Sequence, residues 1–290
     1  MMKLLFKAVA TLALAVSGAT AAHAVTFFSN YNFSFNSSWV VSSSTGVGNS
    51  ITFRSTTDPL LRVKATAWSI DRGTTASNTD DIVTAATLRF WSGGLGVQNI
   101  YEANTSPNHS IDNGVDSTTV NGNTVAKNMV DFVLLQFNYD VDINTMGTGW
   151  VSGDSDASLR VGAGPTSNPA NWANTPALNN RPVIGNTTGV ELSDFVQVNT
   201  TAAGMNPTAN GTPSTRNVNG DNQDGMIWLI GALYGTESND FFKLNALGVT
   251  VFPTIPEPST WMTLILGFGF IGWSMRRAAS RASTTVLGAA

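Results

Sequence analysis

The stretches FVLLQFNY (Phe132–Tyr139) and MIWLIGAL (Met226–Leu233) are the two nearly continuous apolar runs in the body of the chain. A strand covered on one face alternates apolar and polar side chains, whereas a strand covered on both faces is apolar throughout. Both runs therefore predict central strands that are buried on both faces or covered by loops.

Shorter segments around these runs alternate apolar and polar residues, which indicates strands with one buried face. They are Tyr31–Phe35, Ile51–Phe53, Leu61–Ala67, Leu88–Phe90 and the first half of Phe241–Phe252. No window in the body of the chain has a sustained helical period. We therefore expect an all-β domain of roughly nine or ten strands, arranged as an antiparallel β-sandwich of jelly-roll type, with a β-barrel as the alternative.

Two long connections, residues 162–189 and 199–225, consist largely of Asn, Ser, Thr, Gly and Pro. Connections of this length are uncommon in compact domains and are either functional loops or disordered segments. The composition of these two loops is compatible with either interpretation.

Residues 1–24 have the three parts of a secretory signal peptide. Lys3 and Lys7 are the positively charged part, residues 8–16 are the apolar part, and Ala22-His23-Ala24 is a small-x-small cleavage site. An apolar segment this short does not span a membrane. We therefore expect export of the chain and removal of residues 1–24 by signal peptidase.

The body of the chain, residues 25–254, contains 10 basic and 18 acidic side chains, which gives it a net charge of −8. An acidic surface argues against nucleic acid and anionic polymers as partners and suits neutral glycans or cations. The chain contains no cysteine, so the exported domain depends on its apolar core rather than on disulfides. A body of this length is sufficient for one large domain or at most two small ones.

The C-terminal stretch IPEPSTWMTLILGFGFIGWSMRRAASR (Ile255–Arg281) has three parts in a fixed order. Its first part is stiff and extended, because two prolines exclude a helix interior and a central strand. The second part is apolar on all sides, which does not suit an amphipathic surface helix. These parts are the triplet Pro256-Glu257-Pro258, the apolar segment 261–275, and the basic residues Arg276, Arg277 and Arg281.

The apolar segment 261–275 predicts transient insertion into the inner membrane, with the arginines on the cytoplasmic side. At roughly 1.5 Å per residue it is somewhat short for a hydrocarbon core about 30 Å thick. The alternative is a C-terminal helix that packs into the core of a soluble domain.

The order of the three parts resembles the PEP-CTERM sorting signal, which exosortase enzymes recognise in Gram-negative bacteria. The matching residues are Pro256, Glu257 and Pro258 in the signature triplet, Trp261 at the membrane part, and Arg276 and Arg277 at the basic end. The resemblance implies that residues 255–281 are an address read by exosortase, which leads the protein to the cell surface or the extracellular matrix. The tail 282–290 departs from the pattern, since such signals usually end soon after the arginines.

The segment from Trp91 to Asn113 is the most distinctive part of the body, because Gly93, Gly94 and Gly96 permit a tight turn after the Leu88–Trp91 strand. The same segment contains His109 and, three residues on, Asp112. These two side chains either bind a ligand or hold the loop through hydrogen bonds to its backbone. Together with Asp131–Gln136 and the stretch 149–156, the segment resembles the globular part of small exosortase-dependent surface proteins, for which no activity is established.

Two acidic pairs, Asp154 with Asp156 and Asp221 with Asp224, offer oxygen ligands to calcium. Neither pair has the spacing of an EF-hand loop, and solvated turns contain such aspartates without any metal. The sequence predicts no cofactor other than the possible calcium at these two pairs.

Residues for catalysis are scarce. His109 is the one histidine left after residue 24, there is no cysteine, and no G-x-S-x-G motif occurs, so neither a Ser-His-Asp triad nor a zinc site is supported. Paired carboxylates for glycoside hydrolysis stay open as an alternative. We expect no catalytic activity, and a structural or adhesive role at the cell surface or in the extracellular polysaccharide.

A carbohydrate-binding module is the alternative from another class, and a glycan-cleaving enzyme is the third. Tryptophan rings stack on sugars, although in a β-sandwich they more often lie in the core. The tryptophans concerned are Trp39, Trp68, Trp91, Trp150 and Trp172.

Overall fold

The computed structural model describes residues 29–73, 80–91, 93–102, 109–162, 181–182, 195–198, 214–220, 222–234, 240–251, 262 and 265–276. The described strands belong to one compact unit, and the helical residues 265–276 (α1) belong to another. Several predicted features lie outside the described residues. They are the signal peptide 1–24, the triplet 256–258, Trp261, Arg277, Trp172, the tail 282–290, Asp221, and most of the loops 162–189 and 199–225.

Sixteen strands and one short 3-10 helix, Ser37–Trp39, form the described part of the β unit. The strands are β1 (Ser29–Ser34), β2 (Val40–Ser43), β3 (Ser50–Arg54), β4 (Arg62–Asp71), β5 (Ile82–Ala85), β6 (Thr87–Trp91), β7 (Gly94–Gln98), β8 (Ile111–Asp112), β9 (Val115–Val120), β10 (Asn123–Val151), β11 (Ala157–Gly162), β12 (Arg181–Pro182), β13 (Phe195–Val198), β14 (Ser214–Asn217), β15 (Gly225–Ala232) and β16 (Phe241–Val251).

This composition confirms the predicted all-β class. The expected number of strands was too low. Strands β8 and β12 have only 2 residues each, so that neither contains enough positions to show an alternation of apolar and polar residues.

Strand β10 connects the sheet, because successive parts of it pair with different neighbours. Residues 123–128 pair with β9, residues 129–137 with β4, and residues 141–151 with β16, always antiparallel. On its other edge β10 pairs with β15 and β14. The register against β15 is irregular between Gln136 and Val141, where β10 exchanges β4 for β16. All 16 strands thus join one hydrogen-bonded network.

The turn between β9 and β10 is formed by Asn121 and Gly122, whose φ angles are 52° and 81°. A two-residue hairpin turn with positive φ at both positions matches the right-handed twist of the flanking strands. Asn and Gly adopt this conformation at the lowest steric cost. The sequence of the turn therefore fixes the register in which β10 begins.

The two apolar runs of the sequence lie in the middle of the core, as predicted. Residues 132–137 of β10 and all of β15 are buried. Trp228 is completely buried, and its indole Nε1 donates hydrogen bonds to the carbonyl oxygens of Val141 (3.2 Å) and Gly225 (3.0 Å). Burying each large apolar side chain stabilises the fold by about 1.5–3 kcal/mol.

The helix α1 is described by itself. All its residues are exposed, including Phe268, Phe270 and Trp273. In the described part of the chain, no helix combines the length and the apolar character that crossing a membrane requires. The predicted membrane insertion of residues 261–275 is therefore not confirmed.

Candidate functional site

The glycine-rich strand β7 lies directly against the segment that carries the predicted site residues. A Cβ atom on Gly96 would overlap the carbonyl oxygen of His109. The backbone NH of Val97 donates a hydrogen bond to the carbonyl oxygen of Ser110 (3.3 Å). Only glycine at position 96 permits this close approach, which fixes the backbone at His109.

His109 and Asp112, the predicted ligand residues, are both buried. His109 has a φ angle of 96°, which is unusual for a residue other than glycine. Its ring stacks on Trp91, with the ring centres 6.0 Å apart and the planes 9° from parallel. Asp112 lies in β8 and accepts hydrogen bonds from Ser110 Oγ (2.8 Å) and from the NH of Gly114 (3.3 Å).

Three carboxyl groups from separate elements converge next to this segment, and we call them the inner acidic cluster. Glu102 comes from the turn after β7, Asp112 from β8 and Asp131 from β10. One carboxylate oxygen of each lies within 4.8 Å of the other two. Their exposed fractions are 9%, 3% and 0%, so bulk water has little access to them.

Hydrogen bonds from neighbouring side chains position the inner acidic cluster. Glu102 Oε2 accepts a hydrogen bond from the NH of Asn99 (3.0 Å), and Asp131 Oδ1 accepts one from Ser69 Oγ. The side-chain nitrogen of Asn99 donates to Asp131 Oδ1 (3.4 Å) and to Asp116 Oδ2 (2.6 Å). Asp116 is thereby held beside the cluster as a fourth carboxyl group.

Two buried polar atoms at the cluster have no hydrogen-bond partner among the described residues. One is Asp131 Oδ2, and the other is His109 Nδ1. The His109 nitrogen lies 3.9 Å from Glu102 Oε2. Most buried polar atoms in proteins have a partner, so both exceptions require an explanation.

Burial, and after it the charges of the neighbouring acids, raises the pKa values of the carboxyl groups in the inner acidic cluster. Burial, followed by the charges of Asp112 and Asp116, raises the pKa of Glu102 to about 9. Burial and then Asp116 raise the pKa of Asp112 to about 7. The pKa of Asp131 is raised well above its ordinary value, first by burial and then by the other acids.

His109 does not supply the missing positive charge. Burial lowers its pKa, and the charges of Arg89 and Lys243 lower it further. The ring is therefore neutral at pH 7, and one of its two nitrogens is an acceptor.

A second group of acids, Asp154, Asp156 and Asp240, forms what we call the outer acidic cluster. It contains the predicted pair Asp154 and Asp156, and Asp240 joins them from the start of β16. Asp240 Oδ1 accepts a hydrogen bond from the NH of Asp156 (3.2 Å), and Oδ2 accepts one from Asn113 Nδ2 (2.5 Å). Burial, followed by Asp156 and Asp154, raises the pKa of Asp240 to about 7.

The outer acidic cluster has a basic neighbour, Arg216. Burial lowers the pKa of this guanidinium, whereas the charges of Asp156 and Asp154 raise it.

In the other predicted pair, Asp224 is exposed. Burial raises the pKa values of Asp140 and Asp142, and the charge of Asp224 raises them further. The calcium predictions for both pairs stay predictions.

The aromatic residues differ in their accessibility. Trp91 is 46% exposed, and Trp68 is buried. Lys243 Nζ lies 5.5 Å from the ring centre of Trp91 and 5.2 Å from that of the half-buried Trp150. Lys243 therefore joins Trp91 and Trp150 in one group of side chains at the surface.

The sequence analysis did not single out Glu102, Asp116 or Asp240 as site residues. Asp131 did have a signal in the sequence, because it is an acid between apolar neighbours in the stretch MVDFVLL (129–135). A charge in the middle of a predicted buried strand is rarely tolerated without a partner, and it marks a position for closer attention.

Comparison with known proteins identifies the C-terminal segment. The family described as PEP-CTERM protein-sorting motif matches residues 254–278. A search of curated proteins found no match to the chain. The matched range includes Pro256, Glu257 and Pro258, and it ends just beyond Arg277. The chain therefore carries a PEP-CTERM sorting motif, which marks it as an exosortase-sorted protein of the cell surface or extracellular space.

Proposed function

We propose that this protein is a structural or adhesive component of the extracellular matrix or cell surface, without catalytic activity. The match of residues 254–278 to the sorting motif carries this proposal, because it gives the destination of the chain. The environment of His109 supports a role other than catalysis. Its ring is 2% exposed and is stacked on Trp91, so it is poorly placed to exchange protons with a substrate at the surface.

The route that we propose begins with removal of residues 1–24 by signal peptidase and continues with transient insertion of residues 261–275 into the inner membrane. The exposed apolar surface of α1 supports the second step, since large apolar side chains on all sides of a helix favour a lipid or protein environment over water. Exosortase then processes the chain at the sorting motif.

The β unit is proposed to be a jelly-roll sandwich. The pairing of β10 supports two layers, because its first part pairs with β4 and β15 and its last part with β16 and β14. One strand thereby belongs to two sets of neighbours, as a strand at the corner of a sandwich does.

Replacing Pro256-Glu257-Pro258 by three alanines tests the proposed sorting. We expect the variant to cross the inner membrane but to accumulate there, because the apolar segment and the arginines are retained. Pro59→Ala in an exposed turn of the β unit is the control and should be sorted normally. Cell fractionation measures both, and normal surface amounts of the triple variant would contradict the assignment.

A second candidate function, binding of neutral carbohydrate, is favoured by the exposure of Trp91. A ring that is accessible at the surface can stack on the apolar face of a sugar. Glycan arrays with the full chain, with Trp91→Ala and with the control Leu60→Ala, an exposed apolar residue elsewhere, test this function. Binding of one sugar class that Trp91→Ala abolishes and Leu60→Ala retains supports it. Release of sugar products from polysaccharide would instead contradict the proposed absence of catalysis.

A further inference from the structure

Among the described residues, no lysine or arginine supplies a compensating positive charge to the inner acidic cluster. No lysine or arginine of the described residues forms an ion pair with Glu102, Asp112 or Asp131. Transfer of a carboxylate out of water costs several kcal/mol unless a partner compensates it. Such a group must therefore hold protons or bind a cation.

Two independent observations favour a ligand at this place. Asp131 Oδ2 belongs to a completely buried side chain and accepts no hydrogen bond from the described residues. His109 Nδ1 comes from a different segment, has no hydrogen-bond partner among the described residues, and lies 3.9 Å from Glu102 Oε2. Stacking on Trp91 positions the His109 ring, and the close approach of Gly96 positions its backbone.

We propose that the inner acidic cluster is a calcium site, with Glu102, Asp112 and Asp131 as the protein ligands. One oxygen of each lies within 4.8 Å of the others. Two oxygens that bind the same calcium at about 2.3–2.6 Å lie no more than about 5 Å apart, so this spacing fits a single ion. Asp131 Oδ2, which accepts no hydrogen bond from the described residues, offers a lone pair to the ion.

The same ion accounts for the unpartnered histidine nitrogen. Calcium takes about six to eight oxygen ligands, so three carboxyl groups leave positions for water and for Asp116. A neutral His109 accepts a hydrogen bond at Nδ1 from a water bound to the ion, whereas a protonated ring would repel the metal.

The chemistry of the ligands favours calcium over other divalent ions. A set of carboxylate oxygens suits hard cations, whereas zinc and copper prefer nitrogen and sulfur. Magnesium retains most of its water and requires strict octahedral geometry, which a site made of three buried carboxyl groups does not favour. The sorting motif leads the protein to the cell surface or extracellular space, where modules with weak calcium sites function. The inference does not depend on the structural or adhesive role proposed above.

Thermal unfolding of the full chain in detergent tests the site. The conditions are chelator, calcium, magnesium, zinc, and sodium chloride at matched ionic strength. Saturating calcium should raise the Tm by several degrees over the value in chelator, because it binds the folded state only. Sodium chloride should reproduce none of this increase, and magnesium and zinc should give smaller ones.

Two variants locate the ion, and two others control for the loss of a charge. Asp131→Asn and Glu102→Gln keep the shape of the side chain and remove its negative charge. We expect each to weaken calcium binding at least about tenfold in calorimetric titration. Asp156→Asn in the outer acidic cluster and Asp224→Asn at the surface make the same chemical change. Both controls should keep the calcium affinity of the wild type within about twofold.

Equal Tm values in calcium, chelator and sodium chloride would overturn the proposal. A calcium response that survives in both Asp131→Asn and Glu102→Gln, or that disappears in Asp156→Asn, would overturn the location. A larger response to magnesium or zinc would overturn the choice of ion. Circular dichroism of each variant confirms that a lost response does not reflect a lost fold.

Discussion

The inner and outer acidic clusters each contain three carboxyl groups, but they differ in what surrounds those groups. In the outer cluster both oxygens of Asp240 accept hydrogen bonds, and the charges of its partners act on the nearby Arg216. In the inner cluster one oxygen of Asp131 has no hydrogen-bond partner among the described residues, and the adjacent His109 is neutral.

The difference shows why the convergence of acids is an incomplete criterion for a metal site. Donors reach both oxygens of Asp240, and Arg216 lies near enough for the charges of Asp156 and Asp154 to act on its pKa. Asp131 has donors at Oδ1, but Oδ2 accepts no hydrogen bond from the described residues. The partners of these two carboxyl groups, rather than the number of acids around them, therefore make Asp131 the one with more need of an ion.

The largest expected effect is a difference in the free energy of unfolding between Asp240→Asn and Asp131→Asn, which are the same substitution made in the two clusters. In Asp240→Asn the new NH₂ group must face a donor, either the NH of Asp156 or Asn113 Nδ2. We expect a loss of about 1–3 kcal/mol in the free energy of unfolding. In Asp131→Asn the NH₂ group can replace Oδ2, which accepts no hydrogen bond from the described residues, while the bond from Ser69 is kept.

Asp131→Asn should therefore leave the free energy of unfolding in chelator unchanged or raise it, since it removes a buried carboxyl group with which no lysine or arginine of the described residues forms an ion pair. Urea unfolding in the presence of chelator measures both variants. Equal destabilisation by the two substitutions would show that the Asp131 carboxylate is satisfied after all, and the contrast between the clusters would be wrong.

A smaller effect is expected in the dependence of stability on pH. The pKa is about 9 for Glu102 and about 7 for Asp240, whereas both groups have pKa values of about 4 in the unfolded chain. Because the folded state binds these protons more tightly, their contribution to stability is present at low pH and is lost as the pH rises to the folded pKa. Of these two contributions, that of Glu102 is the one that still falls between pH 7 and 9.

In chelator, the free energy of unfolding should accordingly fall more steeply between pH 7 and 9 for the wild type than for Glu102→Gln. The two slopes should differ by at most about 1.4 kcal/mol per pH unit. Asp240→Asn is the control and should keep the slope of the wild type above pH 7. Saturating calcium should reduce the slope, because it binds the deprotonated carboxyl group. Parallel curves for the wild type and Glu102→Gln in chelator would contradict the raised pKa of Glu102.

The sequence predicted those features that depend on neighbouring positions. The runs 132–139 and 226–233 predicted central strands because nearly every side chain in them is apolar, and Asp154 and Asp156 were noticed because they lie two positions apart. His109 was singled out as the one histidine after residue 24, and Asp112 because it lies three positions further on.

The sequence could not predict what depends on the folded sheet. Glu102, Asp112 and Asp131 meet only because β7, β8 and β10 come together, and Asp240 reaches Asp156 from another strand. The change of partners along β10, at the register shift between Gln136 and Val141, depends equally on which strands lie beside it. The hydrogen bonds that distinguish Asp240 from Asp131 are a property of three-dimensional contacts alone.

The smallest expected effect concerns the neutrality of His109. Lys243 lies close to Trp91 and Trp150, and its charge follows burial and Arg89 among the causes that lower the pKa of His109. Lys243→Met keeps most of the stem and removes the charge. We expect a loss of about 0.5–1 kcal/mol from the cation–π contacts and a rise in the pKa of His109.

An NMR titration of the His109 ring in chelator measures this rise, with Lys127→Met as the control because Lys127 is paired with Asp71 and is not among the causes of the shift. A higher pKa places a proton beside Glu102 at mildly acidic pH, so calcium binding in Lys243→Met should weaken more steeply below pH 6 than in the wild type. The inner cluster of this variant would then resemble the outer cluster, in which a cationic side chain already accompanies the acids. If the wild-type ring instead titrates above the ordinary value of 6.5, His109 itself neutralises Glu102 at pH 6. In that case the electrostatic distinction between the two clusters disappears, and with it one of the reasons for placing calcium in the inner one.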